Sequence, residues 1–275
     1  ERTDRVVFHF FAQGLWKTRW KAWKIRIFHG IITAGIFAVR KGKCLFLRFD
    51  GETGRKGAVF LIYITGDIHG DKRRFDEAKR LRAGDTLIVC GDFGFLWDGG
   101  AAEERVLKKL GKKKYAIAFV DGAHENFDLL NRCPEGEWNG GRVHLLGGQI
   151  YHLMRGEVYT IEGKTVFAFG GAETKERQLY QDVGRWWREE FPTMAEMKNG
   201  ALHLQEHGRK VDYIVTHWPA PRMAGNRGER NALDAYFDTV ARQVEYKRWY
   251  FGYLHSDRKR TAKNYSMFQE ILPVE

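Results

Sequence analysis

Residues 59–70 read VFLIYITGDIHG, a run of apolar residues that passes directly into a short polar loop. The β-branched and aromatic run from Val59 to Thr65 predicts a buried strand. The loop after it holds Asp67 and His69, and side chains two positions apart in an extended backbone point the same way. A carboxylate and an imidazole placed in this way can share a metal ion.

The same order, a predicted strand followed by a polar loop, returns four more times along the chain. The candidate ligands in these loops are Asp92, His124, His217 and His255. Helical patterns separate the first strands, which predicts a parallel sheet built from βαβ units. Since sites in open α/β sheets form outside the carboxyl ends of the strands, we expect these side chains to lie close together.

Two local expectations concern the segments around these loops. Asp71 predicts the N-cap of a helix whose buried face carries Phe75, Ala78 and Leu81. Near the end of the chain, Ser266 to Leu272 predicts an edge strand. In the middle, the turn at 162–164 predicts a hairpin between two short strands.

Composition and charge divide the chain into two parts. The 275 residues are 43% hydrophobic, which suits one α/β domain with an appendage. Residues 1–58 hold 13 Lys and Arg against 4 Asp and Glu, so they carry +9 of the formal net charge of +11. We therefore predict a basic, aromatic N-terminal extension of unassigned fold over 1–58 and one domain over 59–275.

The cysteines and the most apolar segment indicate the compartment. Cys44, Cys90 and Cys133 form no CxxC pair and no zinc-ligand spacing, which is typical of reduced thiols in a cytoplasmic protein. The segment from Ile31 to Val39 is shorter than the roughly 18–20 residues of a membrane span. It predicts a buried strand or an interfacial segment, and we expect no membrane partner.

The order of the motifs resembles that of the calcineurin-like metallophosphoesterase superfamily, and its bacterial and phage-type members in particular. That order is Asp-x-His, Gly-Asp, Gly-Asn-His-Asp/Glu, a lone His and Gly-His-x-His, and it runs here from Tyr63 to Asp257. The resemblance implies an α/β fold, an αββα sandwich with mixed sheets. Residues 1–58 lie outside it.

The resemblance also implies a site for two cations. The ligands of the first cation would be Asp67, His69, Asp92 and His255. Asp92 would bridge the two ions, His217 would help to hold the second, and His124 would act as general acid or stabilise the transferring phosphoryl group. Carboxylate and imidazole donors suit Mn²⁺, Fe²⁺ or Zn²⁺.

Two positions depart from the family pattern, and both concern the second cation. Ala123 stands where the family has Asn, and Tyr253 stands where it has the first His of Gly-His-x-His. Alanine has no donor atom, and a tyrosine with a pKa of about 10 is a poor ligand for Mn²⁺ or Mg²⁺. We therefore expect one well-formed cation site, a second impaired site and reduced activity.

The leading functional interpretation is a metal-dependent hydrolase that attacks a phosphomonoester or phosphodiester with metal-activated water. One alternative is a catalytically inactive binding protein that keeps the fold. Another is a phosphodiesterase that processes nucleic acid, with the basic arm over 1–58 as the binding element, because basic residues interleaved with tryptophans can contact phosphates and stack on bases. The shared motifs describe phosphoryl chemistry and leave the substrate open.

Overall fold

The computed structural model describes residues 34–40, 43–49, 61–225 and 230–274. The chain divides into two units, Glu1–Val59 and Phe60–Glu275. In the first unit, strand β1 (Ala34–Arg40) pairs antiparallel with β2 (Lys43–Phe49). Strand β1 overlaps the strand predicted over Ile31 to Val39, and the rest of the extension lies outside the described residues.

The second unit holds the remaining strands and all the described helices. The strands are β3 (Ile62–Thr65), β4 (Thr86–Val89), β5 (Ala116–Phe119), β6 (Glu135–Trp138), β7 (Gly141–Gly147), β8 (Ile150–Leu153), β9 (Glu157–Ile161), β10 (Lys164–Phe169), β11 (Lys210–Thr216), β12 (Glu245–Phe251), β13 (Arg258–Lys259), β14 (Asn264–Ser266) and β15 (Leu272–Pro273). The α-helices are α1 (Ala101–Leu110), α2 (Phe127–Leu130), α3 (Arg177–Asp182), α4 (Met194–Glu206), α5 (Pro221–Ala224) and α6 (Ala232–Gln243). No helix in these ranges is long and apolar enough to cross a membrane.

One sheet has seven strands in the order β15-β3-β4-β5-β8-β7-β6. Neighbours from β3 to β8 in this order are parallel, and the outer pairs are antiparallel. All four residues of β4 are buried, as expected for a parallel strand that is covered on both faces. The predicted parallel arrangement of the first three strands is confirmed.

The second sheet has six strands in the order β13-β14-β12-β11-β10-β9. Strands β10, β11, β12 and β14 are parallel to their neighbours in that series. Strands β9 and β10 form the predicted antiparallel hairpin. Its turn residues Glu162 and Gly163 both have positive φ angles, of 50° and 71°, as a tight hairpin turn requires.

The two sheets pack face to face, and helices cover their outer faces. Apolar side chains from both sheets meet in the middle, with Ile64, Ile88 and Ala118 on one side and Val166 and Val215 on the other. Helices α1 and α2 pack on the outer face of the seven-stranded sheet, and α4, α5 and α6 pack on that of the six-stranded sheet. This αββα sandwich confirms the predicted fold class.

The segment after the first ligand loop differs from its prediction. Asp71 is an N-cap, since its side chain accepts from the N–H of Arg73, but the helix after it is not α-helical. Two short 3-10 helices, Lys72–Phe75 and Glu77–Arg80, take its place. Residues three positions apart share one face of a 3-10 helix, so the apolar side chains predicted to be buried here still point inward.

The edge strand predicted over Ser266 to Leu272 is wrong. Strand β14 stops at Ser266 and lies inside its sheet, between β12 and β13. The chain leaves the sheet because the N–H groups of Phe268 and Gln269 donate to the Asp257 carboxylate, at 2.7 and 2.9 Å, and no longer to a neighbouring strand. Leu272 then belongs to β15 at the edge of the other sheet.

Candidate metal centre

The predicted ligand loops follow β3, β4, β5, β11 and β12, and the strand registers bring them together. In one sheet Thr65 pairs with Val89, and Val89 pairs with Phe119, so the three parallel strands end at one level. In the other sheet Thr216 pairs with Phe251 in the same way. The loops therefore leave both sheets at their carboxyl ends, where such folds place their sites.

Four of the predicted ligands converge at this edge. One donor atom from each of Asp67, His69, Asp92 and His255 lies within 4.8 Å of the other three. The Nε2 atom of His69 is 3.1 Å from Nε2 of His255 and 3.6 Å from Oδ2 of Asp92. Two carboxylates and two imidazoles form a donor set that suits Mn²⁺, Fe²⁺ or Zn²⁺.

His217, the fifth predicted ligand, is fully buried beside this cluster. Its Nε2 atom is 3.6 Å from Oδ2 of Asp92, and its Nδ1 atom is 3.0 Å from the carbonyl oxygen of Cys90. Nε2 of His217 and Oδ2 of Asp67 are both buried without a hydrogen-bond partner. Buried polar atoms of this kind are rare in folded proteins, and ligation of a cation satisfies them, so the residues fit a divalent metal.

The backbone of the ligand loops is not extended. The prediction that an extended backbone makes Asp67 and His69 point the same way is therefore wrong. Their φ angles are +36° and +49°, and Asp92, Tyr253 and His255 also have positive φ. This left-handed region is costly for residues other than glycine. Such strain persists where the surrounding structure fixes it, and it gathers at functional sites.

Glycines allow the loops to approach the ligands closely. Gly91 has a φ angle of +97°, and a Cβ atom at this position would overlap the ring of His217. A Cβ atom on Gly122 would overlap the carboxylate of Asp92. The backbone of two loops is therefore packed directly against two predicted ligands.

Burial and mutual repulsion set the protonation of the cluster. Burial raises the pKa of Asp67 to about 7, with His217 opposing this shift and the Asp92 carboxylate adding to it. Burial also acts to raise the pKa of Asp92, but the nearby His217 and His124 outweigh it and hold that pKa well below its usual range. Burial lowers the pKa of His69 to about 4, which keeps it in the neutral form that ligates metals.

His124, the predicted catalytic residue, lies against the shared carboxylate. Its backbone N–H donates to Oδ1 of Asp92 over 2.8 Å, and its Nδ1 atom is 3.0 Å from Oδ2. The hydrogen bond to Asp92 raises the pKa of His124, although burial opposes the shift. The structure thus places His124 directly against Asp92, one of the four converging ligands.

Ala123 and Tyr253 give the side of the site near His217 an apolar character. The Tyr253 N–H donates to Oδ1 of Asp67 over 3.2 Å, but its ring packs on Trp218 at a centroid distance of 4.4 Å. Ala123 packs against the apolar core cluster that contains Trp218. Burial raises the pKa of Tyr253, so its phenol stays protonated at neutral pH.

Three residues that the sequence analysis did not single out contact the site. Phe268 stacks on His255, Arg74 donates to the carbonyl oxygen of Asp67 over 3.2 Å, and the Tyr180 hydroxyl lies 3.0 Å from Nε2 of His124. Arg74 and Phe268 lie in segments whose secondary structure was predicted wrongly. Tyr180 lies in a polar stretch that carries no strand or motif signal.

Similarity to known proteins covers most of the second unit. Residues 60–255 match the family model of the calcineurin-like phosphoesterases, which confirms the resemblance in the motifs. Among solved structures, a protein of unknown function from Aquifex aeolicus, AQ665, is similar at 15% identity and a TM-score of 0.31, over 68% of this chain and 87% of that one. No curated protein matches the chain.

Proposed function

The chain belongs to the calcineurin-like phosphoesterase family, and on that premise we propose that it hydrolyses phosphomonoesters or phosphodiesters at a site for a divalent cation. The observation that carries this proposal is the convergence of two carboxylates and two imidazoles, with donor atoms within 4.8 Å of one another. A cation held there supplies positive charge that stabilises the phosphoryl oxygens and makes an attacking water more acidic.

The chain's own residues hold this site in a fixed geometry. In this proposal Asp67, His69, Asp92 and His255 are the ligands, and all four have a left-handed backbone, with φ angles of 36°, 49°, 48° and 44°. Glu125 fixes the loop after β4, because its carboxyl group accepts from the N–H groups of Phe93 and Gly94, at 2.7 and 3.4 Å. Such preorganisation lowers the reorganisation that the reaction requires.

His124 is the candidate for proton transfer. Asp92 holds its Nδ1 atom, and Nε2 lies outside this contact, 3.0 Å from the Tyr180 hydroxyl. A nitrogen in that position can give a proton to the oxygen of the leaving group or donate a hydrogen bond to the phosphoryl group. Loss of the imidazole should therefore lower kcat more than it lowers metal binding.

This chain has few ligand atoms for the second cation that the family binds. Asp92 and His217 remain, but Ala123 contributes a methyl group and Tyr253 a protonated phenol that packs on Trp218. We infer one tightly held cation, a second that is held weakly, and turnover below that of a site with all its ligands. Mn²⁺, Fe²⁺ and Zn²⁺ all suit the first set of donors.

Hydrolysis of p-nitrophenyl phosphate and of bis-p-nitrophenyl phosphate, with added Mn²⁺ and then with EDTA, tests the proposal. We expect turnover that EDTA abolishes and that Asp92→Asn removes. His207→Ala is the matched control, because this exposed histidine bonds the carbonyl of His203 at the end of α4. Turnover that survives both EDTA and Asp92→Asn would contradict the proposal.

The charge of the N-terminal extension favours a second candidate, a phosphodiesterase that acts on nucleic acid. Residues 1–58 carry a net charge of +9 and include Trp16, Trp20 and Trp23. Basic and aromatic side chains together bind single strands in a strongly salt-dependent way. Binding of a labelled single-stranded DNA at 50 and 200 mM salt, with and without residues 1–58, tests it; equal binding by the two proteins would reject this candidate.

The alternative of a non-catalytic binding protein predicts a different outcome of the ester assay. Such a chain would bind a cation and turn over neither ester. A variant with Asn at 123 and His at 253, Ala123→Asn/Tyr253→His, would then gain turnover if only the second site is at fault. Metal content per chain, measured in the same samples, distinguishes a protein that does not bind the cation from one that binds it but does not hydrolyse the ester.

A further inference from the structure

Helix α3 lies beside the site and buries no apolar side chain. None of its residues is buried, and Leu179 is 60% exposed. Tyr180 is its one half-buried side chain. A short helix that buries no apolar surface gains little from packing, so its position must be set by other contacts.

Polar contacts fix the chain on either side of α3. The buried carboxyl group of Glu190 accepts from the N–H of Thr174 before the helix, at 3.1 Å, and from the indole of Trp186 after it, at 3.0 Å. Arg185 pairs with Asp98 at 2.6 Å. These contacts hold the segment across the loops that follow β4 and β5, with α3 between the two anchored ends.

Tyr180 is the residue of α3 that reaches the site. Its hydroxyl lies 3.0 Å from Nε2 of His124, and the two rings meet edge to face with centroids 5.3 Å apart. Because the Asp92 carboxylate can only accept, Nδ1 of His124 carries the hydrogen, and Nε2 of the neutral ring accepts from the phenol. The phenol stays a donor at neutral pH, since its usual pKa is about 10 and burial raises it further.

The Tyr180 hydroxyl therefore occupies the hydrogen-bonding position that a substrate oxygen must reach. A phosphate oxygen can only accept, so it bonds Nε2 of His124 when the ring is protonated at both nitrogens. That oxygen takes the place of the phenol, and the phenol then lies next to it with its hydrogen free to donate. A phosphate ester offers several acceptor oxygens to such a donor, and bonds to charged acceptors are the strong ones.

We propose that Tyr180 is a substrate-contacting residue of this site, whose hydroxyl donates a hydrogen bond to the phosphate group that engages His124. This inference rests on the proposed function, because it assumes that the site takes a phosphate. It assigns to α3 the role of carrying one hydrogen-bond donor to the substrate, next to His124.

The test compares Tyr180→Phe with the wild-type full chain, both loaded with Mn²⁺. The substitution keeps the ring and its contact with His124 and removes only the hydroxyl. Tyr246→Phe is the matched control, since it removes a hydroxyl bonded to Asn264 at 3.2 Å, near the amino end of β12 and away from the site. Binding of inorganic phosphate by calorimetry and kcat/KM for p-nitrophenyl phosphate are measured on all three proteins, with metal content and Tm as checks on folding.

We expect Tyr180→Phe to weaken phosphate binding and to lower kcat/KM, each by about tenfold, which is the loss expected for one hydrogen bond to a charged group. Tyr246→Phe should stay within about twofold of the wild type. Equal phosphate affinity in Tyr180→Phe and wild type overturns the inference, and so does tighter binding, which would make the phenol a competitor of the substrate.

The proposed hydrolysis and the role of Tyr180 are contradicted by different outcomes. A wild-type protein that binds phosphate without hydrolysing either ester overturns the proposed hydrolysis, and the affinity ratio still decides the role of Tyr180. A wild-type protein that hydrolyses the ester while Tyr180→Phe matches it overturns the role of Tyr180 alone. A wild-type protein that does not bind phosphate even at millimolar concentration overturns the inference.

Discussion

Phe268 stacks on the imidazole of His255, with ring centroids 4.9 Å apart and an angle of 17° between the planes. Arg74 holds the phenylalanine from another side, with its guanidinium 5.3 Å from the ring centre and a hydrogen bond to the Phe268 carbonyl. His255 is exposed, so burial in the core does not hold its ring. The stack with Phe268 therefore sets the direction in which this ligand points.

Replacement of that ring should weaken metal binding without unfolding the chain. Groups that orient ligands typically contribute 10–100-fold to metal affinity, and we expect Phe268→Ala to lower the affinity for Mn²⁺ by about tenfold. Tyr151→Ala is the control, because it breaks an equally close stack with Trp138, at 4.7 Å and 15°, that involves no ligand. Calorimetric titration of both variants checks this; equal losses of affinity would mean that the effect is general.

Arg74 should matter for the same site through the backbone. Its guanidinium donates to the carbonyls of Gly66 and Asp67, at 3.0 and 3.2 Å, and to the hydroxyl of Thr65, at 3.1 Å. We expect Arg74→Met to destabilise the fold by about 2 kcal/mol, because it leaves half-buried carbonyls unpaired, and to weaken metal binding as the Asp67 loop loosens. Arg73→Met, one residue away, removes only an exposed pair with Asp71 and should change neither quantity measurably in urea unfolding and metal titration.

The two carboxylates of the site should respond in opposite ways to removal of their charge. Burial raises the pKa of Asp67 to about 7, so the ionised form costs stability in the metal-free fold from the usual Asp pKa upward. We expect Asp67→Asn to stabilise the EDTA-treated protein at pH 8 by roughly 1–3 kcal/mol. Asp92→Asn should destabilise it, because His124 and His217 favour the ionised Asp92. Both variants should lose Mn²⁺ binding, and urea unfolding at pH 8 that shifted the same way for both would contradict this assignment.

Asp121 forms a buried ion pair that should contribute to stability at acid pH. Its carboxylate lies 2.6 Å from Nη2 of Arg155 and 3.1 Å from Nε2 of His152. Burial acts to raise the pKa of Asp121, but Arg155 and His152 outweigh it and hold that pKa well below its usual 3.8. The stabilisation is therefore complete above about pH 4 and is lost as the pH falls below it.

We expect Asp121→Asn to lower the free energy of unfolding by about 3 kcal/mol at pH 7, since it removes the buried one of the two carboxylates that pair with the Arg155 guanidinium, the other being Glu196. The difference from wild type should shrink at pH 3, because the carboxylate of the unfolded wild-type chain takes up its proton there while that of the fold stays ionised. Glu245→Gln removes an exposed pair with Lys210 and serves as the control. A loss that is the same at both pH values would show that the charge of Asp121 is not its cause.

The pattern of apolar residues in the sequence predicts the positions of the ligands more reliably than it predicts their backbone geometry and the side chains that contact them. The strand ends before Asp67, Asp92 and His217 follow from apolar runs, and the parallel register within each sheet brings the ends of its strands to one level. The left-handed turns at Asp67 and Asp92 leave no signal in spacing, so the extended geometry expected for Asp67 was wrong. Phe268 and Tyr180 reach the site from segments distant in sequence, and only the packed fold shows that their rings meet His255 and His124.

The last prediction concerns the two positions that depart from the family pattern. A weakly held cation gains from each added donor only when the others are present, because coordination needs several ligands at once. His217 already presents an unpaired Nε2, and Asp92 lies 3.6 Å from it, so this half of the site has two donors in place. Ala123→Asn and Tyr253→His each add one more.

We therefore expect the two substitutions to be strongly non-additive. Each single variant should raise turnover of bis-p-nitrophenyl phosphate by only a fewfold, whereas the double variant should raise it by about a hundredfold and bind a second Mn²⁺ per chain. Tyr253→Phe, which keeps the ring on Trp218 and adds no donor, controls for loss of the phenol. Additive gains, or a double variant that still binds one cation, would show that Ala123 and Tyr253 are not what limits the second site.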